Sequence, residues 1–165
     1  MYDNPYGLTP EDLQAAWDQS KDVLIPMILA VVVGLFLILL LHILFSYVLF
    51  LCYESIPVAH RKRQSWEAFM LLVPLAGYLW NFFVYPDLAR GFRSYREELK
   101  LPAAGDCGEA VGRAYAICSI CAIIPVVGLL FALVAMVLQL VYLSRVWTLR
   151  KEVQAANRTE VQPLV

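Results

Sequence analysis

Apolar residues fall into three blocks, at positions 23–51, 66–85 and 114–146, and the charged residues gather between and beyond them. Each block is long enough to span hydrocarbon, which takes about 20 residues as a helix, and its apolar residues run together instead of recurring at a period of 3.6 with polar residues between. The pattern predicts an all-α, polytopic helical membrane protein with three to four membrane segments, some of them Pro/Gly-broken helical hairpins. A transmembrane helix is expected over 23–51, longer than a crossing requires and so tilted or extended into the headgroups. Pro26 would stand in its first turn, where a missing N–H costs little.

The other two blocks are interrupted. Val73-Pro74-Leu75-Ala76-Gly77-Tyr78-Leu79-Trp80 and Ile124-Pro125-Val126-Val127-Gly128-Leu129-Leu130-Phe131 share one pattern: a β-branched residue, Pro, two small or aliphatic residues, Gly, then an apolar run reaching an aromatic. Each predicts a turn between helical arms, with Pro74 and Pro125 removing a donor and Gly77 and Gly128 letting the backbone reverse. Paired Pro/Gly breaks also mark the binding sites of transporters, but neither break has an acidic residue near it.

Charge decides between topologies. Of the 13 Lys and Arg residues only Lys21 precedes the first block. The cluster Arg61, Lys62 and Arg63 follows it and reads as a cytoplasmic loop, leaving the acidic N-terminus outside. A second basic group, Arg90, Arg93 and Arg96, lies in 87–100, where Leu88, Phe92, Tyr95 and Leu99 recur at helical spacing; this predicts an amphipathic helix at the membrane surface or against another subunit. If 66–85 is a re-entrant or interfacial hairpin and the third block forms a hairpin with arms at 111–124 and 129–148, all the later basic residues are cytoplasmic. That arrangement is expected, with Arg113 snorkelling to the surface; a conventional bundle of three or four spans is the alternative.

The division follows: an acidic segment 1–22 with a short helix starting at Thr9-Pro10 and stapled by Leu8 against Leu13, a membrane domain 23–150, and a polar C-terminal tail 151–165, disordered from Gln154. The lipid bilayer is the first partner, with a membrane-protein subunit or a second copy of the chain as the next. With a net charge of -1 there is no basic surface for nucleic acid.

Candidate chemistry is sparse. His42, with Ser46 one turn on, is an ionisable group deep in an apolar run, read either as a ligand or proton site or as a residue satisfied by one interhelical hydrogen bond. Asn81, a polar residue among aromatics just after a break, is read either as a ligand contact or as a partner for freed backbone groups. Cys118 and Cys121 have CxxC spacing, but apolar surroundings favour inert thiols, so neither metal nor cofactor is expected. No nucleophile–base pair or phosphate loop is present, which argues against an enzyme.

Three stretches, Glu54-Ser55-Ile56-Pro57, Leu79-Trp80-Asn81-Phe82-Phe83-Val84-Tyr85-Pro86 and Gly105-Asp106-Cys107-Gly108, carry a resemblance. Over about 54–151 the chain resembles a family of small uncharacterised bacterial integral membrane proteins, with the Trp-Asn-Phe-Phe-Val block the most specific part. The resemblance implies a bacterial cytoplasmic (inner) membrane location and carries over no catalytic residue. The expected function is a non-enzymatic accessory or scaffold subunit, with transport or binding of a small or lipidic ligand through His42 and Asn81 as the alternative.

Overall fold

A computed structural model of the chain describes residues 9–73 and 75–161. Pro74, and the Leu8 half of the staple, lie outside the described residues. All the regular structure among those residues is helical, without a strand: α1 (Pro10–Glu54), short 3-10 helices at Val58–His60 and Ser65–Leu72, α2 (Ala76–Glu98), α3 (Glu109–Cys121) and α4 (Gly128–Val161). Two compact units divide them at residue 41.

In the first unit the chain is α1 alone. The expected short helix before Lys21 and the expected span at 23–51 are one continuous helix, because nothing between Lys21 and Val23 breaks the backbone ladder. Pro26 is therefore interior to the helix and not in its first turn. It deprives the Asp22 carbonyl of its helical donor, at the polar edge of the apolar run. From Val23 to Leu41 every large apolar side chain is exposed, and a helix apolar on all faces has no water-facing side.

The second unit packs the last turns of α1 with everything that follows. Arg90 of α2 meets Glu109 at the start of α3 and Tyr85 meets Tyr115, so α2 and α3 are antiparallel. α4 then runs back along α3: Tyr142 lies beside both Gly108 and Gly112. A Cβ on Gly112 would come within 2.9 Å of the Tyr85 Cβ and 3.1 Å of the Tyr142 ring, so α3 sits between α2 and α4 at backbone distance.

The expected amphipathic helix at 87–100 is not separate from segment 66–85. The 3-10 helix Ser65–Leu72 leads to a turn, and α2 then runs unbroken through Pro86. Eight residues at the 3-10 rise cover about 16 Å, the same reach as the 11 residues of α2 from Ala76 to Pro86. α3 begins at Glu109, before the expected 111, and α4 continues well past 148. The tail from 151 is thus helix and not disordered as far as Val161, because Leu149, Val153 and Asn157 share one face: the first two are buried and Asn157 accepts a 2.9 Å hydrogen bond from the Tyr95 hydroxyl.

Among the described residues, two α-helices are long and apolar enough to cross a membrane, one within α1 and one within α4.

Candidate functional site

The second unit has two unlike ends. At one, the repeated sequence pattern builds the same turn twice. The Gly77 N–H donates to the Val73 carbonyl at 2.8 Å, and the Gly128 N–H donates to the Ile124 carbonyl at 2.8 Å. Leu75 has φ 64° and ψ -52°; Val126 has φ 73° and is bridged by a 2.9 Å bond from the Val127 N–H to the Pro125 carbonyl. Leu75 carries the backbone angles, and Val126 the bridging hydrogen bond, of the γ-turn of positive φ, a rare and strained form, costing about 1–3 kcal/mol at a residue with a Cβ. Both glycines are required by space: a Cβ on Gly77 would strike the Leu71 carbonyl, and one on Gly128 the Ala122 carbonyl. The tips they form are apolar, with Leu75 76% and Val126 99% exposed.

Between the ends lies a tyrosine cluster centred on Pro86. Proline leaves the Phe82 carbonyl without its helical donor, and two hydroxyls brace the adjoining backbone from opposite sides. Tyr53 donates to the Val84 carbonyl at 2.7 Å and Tyr142 to the Tyr85 carbonyl at 2.6 Å. Gln139 donates to the Tyr85 hydroxyl at 3.3 Å, and the rings of Tyr115 and Tyr142 stand 4.7 and 4.8 Å from that of Tyr85.

At the other end is a belt of ion pairs. Asp87 accepts from Arg63 at 3.0 Å and from Arg90 at 3.3 Å. Glu109 accepts from Arg90 at 2.8 Å and Arg113 at 2.6 Å, with Arg93 at 3.7 Å. Arg63 also bonds Glu67 at 2.8 Å, and its guanidinium lies over the rings of Trp80 and Phe83 at 4.8 and 5.0 Å, which gives the Trp-Asn-Phe-Phe-Val block a physical task. Arg61 bonds Glu54 and Ser65, and His60 bonds Ser94 and Glu98. Burial alone would raise the Glu109 carboxyl, but the hydrogen bond from Arg90 and then Arg113 hold it below the usual range. The Asp106 carboxyl is lowered by the backbone N–H groups of Ala110 and Gly108, which it accepts at the start of α3.

Five of the six expected membrane-surface cations, all but Lys62, are thus paired with carboxylates within the fold. Arg96 departs furthest: it is 5% exposed, pairs with Glu152, and donates to the Pro102 carbonyl at 2.8 Å. Among the described residues, no ion pair holds Lys62, which is exposed. Sequence reasoning named the arginines and missed their partners Asp87, Glu109 and Glu152. The signal was available for Asp87 and Glu109, whose spacing of three and four residues from Arg90 and Arg113 places each pair on one helical face.

His42 and Asn81 lie at different heights. The Tyr53 hydroxyl of α1 donates to the Val84 carbonyl of α2. Counting back from that contact, His42 is about 16 Å away along α1 and Asn81 about 4 Å along α2. His42 is exposed and Asn81 buried. The four cysteines are free, Cys52 and Cys107 buried and Cys118 and Cys121 half-buried. Among the described residues no three His, Cys, Asp or Glu side chains cluster for a metal.

Two cavities open on the belt end. One, of about 340 Å³, lies between the 104–108 loop and α4 beside Arg145. The larger, of about 580 Å³, lies where α1 ends and the Arg61–Trp66 loop begins. No protein family, curated protein or solved structure matches the chain.

Proposed function

We propose that the chain is a multi-pass protein of the bacterial cytoplasmic membrane that acts as a non-enzymatic accessory or scaffold subunit. The observation that carries the membrane reading is the pair of matched γ-turns. A turn with positive φ in water is ordinarily given to Gly or Asn; here both positions carry exposed aliphatic side chains, as a tip immersed in hydrocarbon requires. The all-round apolar surface of α1 over 23–41 supports the same reading. In the proposed topology α1 crosses once with its acidic N-terminus outside. The two hairpins enter from the cytoplasmic side, and the belt and C-terminus stay at the cytoplasmic surface, giving three to four membrane segments. The scaffold role draws on the belt, whose arginines are occupied in holding helices together. The resemblance to bacterial integral membrane proteins belongs to this proposal.

Thiol accessibility tests it. With the four native cysteines replaced by serine, a cysteine at Ser94 is expected to react with an impermeant maleimide only in inverted vesicles, and one at Val126 in neither orientation until detergent is added. Labelling at Ser94 from the outside of intact cells overturns the orientation; ready labelling at Val126 in sealed vesicles overturns the buried tip. Purification in mild detergent then separates roles: a stoichiometric protein partner supports the scaffold, and a solute or lipid retained by the lone chain supports a ligand-handling role instead.

A further inference from the structure

We propose that the cavity at the end of α1 binds an amphiphile with a single anionic phosphodiester, the headgroup chemistry of an acidic phospholipid. The inference rests on the membrane reading and adds a ligand class and a site to it.

Charge at this site is nearly balanced, and the imbalance is informative. Arg61 is paired with Glu54 at 3.2 Å. Arg63 is occupied by Glu67 at 2.8 Å and Asp87 at 3.0 Å. That leaves Lys62, on the cavity rim, as the one cation of the lining that no carboxylate balances among the described residues. An ammonium without an ion pair at such a surface attracts an anionic headgroup. Next to it, the Arg61 side chain is only 14% exposed, and its Nε–H is buried without an acceptor.

The rest of the wall is apolar. Phe50, Val58 and Trp66 line the same cavity, with Val58 and Trp66 largely exposed, and the Trp66 Nε1–H already donates to Gln64 at 3.2 Å. A free phosphate has no use for this surface, whereas a lipid lays its glycerol and first methylenes against it. A volume of about 580 Å³ holds a headgroup with the start of its chains. Trp66 is placed as an interfacial anchor.

The test uses the full chain purified in mild detergent, with short-chain phosphatidylglycerol, short-chain phosphatidylcholine and inorganic phosphate as probes and native mass spectrometry as the readout. Phosphatidylglycerol is expected to bind roughly fivefold more tightly than phosphatidylcholine, and Lys62→Glu to abolish that preference. Trp66→Ala is expected to weaken both lipids. Equal binding of the two lipids by the native chain, or an unchanged preference in Lys62→Glu, overturns the proposal. Inorganic phosphate binding as tightly as the lipid, and lost with Lys62→Glu, overturns the amphiphile in favour of a free anion. Circular dichroism of each variant guards against misfolding, which Lys62, being exposed, is not expected to cause. Loss of the membrane reading would show separately, as extraction of the chain from membranes by alkaline carbonate.

Discussion

The two ends of the 42–161 unit solve opposite problems. At the turn end the backbone adopts a strained γ-turn twice so that Leu75 and Val126 can project outward; at the belt end most arginines are tied to a carboxylate or a carbonyl. An apolar tip gains from losing water, and an ion pair at a wet boundary keeps its partners only through geometry and hydrogen bonds. On the proposed membrane reading, the contrast teaches that one short fold is made for two solvents, and that substitutions should be judged by the end at which they fall.

A charge at the turn end should therefore do the greatest damage. Val126→Asp is expected to cost about 3 kcal/mol of membrane integration, read as chain lost from the membrane pellet after carbonate washing; Leu75→Asp should behave alike. If both variants stay integrated and stable, the tips face water and the contrast collapses. The next largest effect tests whether the two turns are equivalent. Gly128→Ala and Gly77→Ala each push a methyl into a backbone carbonyl, an overpacking of about 1–3 kcal/mol. Thermal melts in detergent should show similar losses for the two; a loss at only one would separate them.

The smallest effect belongs to the belt and depends on pH. Glu109 and Asp106 have folded pKa values below their ordinary ones, near 4.5 and 3.8. A depressed carboxylate stabilises the fold above its unfolded pKa and loses that contribution as pH falls through the folded value. The melting temperature should thus hold near pH 6 and decline from about pH 4.5 downward. Glu109→Gln should lower the plateau and flatten the decline, because the titrating group is gone and Arg90, Arg93 and Arg113 lose its charge. An unchanged acid limb in that variant would assign the decline to other carboxylates.

Much of this was legible in the residues. The repeated Pro and Gly positions pointed to two turns, and the apolar blocks to helices. What could not be read was the γ-turn itself, since Leu and Val at positive φ run against local preference. The continuity of α2 was hidden by Pro86, because bracing by Tyr53 and Tyr142 comes from residues 31 and 57 positions away. The helical run past 151 was obscured by polar composition, although the spacing of Leu149, Val153 and Asn157 carried it. For the belt, the arginines were visible as a basic set, yet their role depended on Glu109 and Glu152, brought near only by the packing of α2 against α3 and α4.

Arg96 also sets an order of events. Its partner Glu152 is made 56 residues after it, a wait of roughly 3 to 11 s at the pace of a ribosome. Meanwhile the carbonyl of Pro102, only six residues on, is in reach almost at once. The guanidinium thus has a provisional berth on its own nascent loop, and α4 arrives to close a joint whose first half is already set.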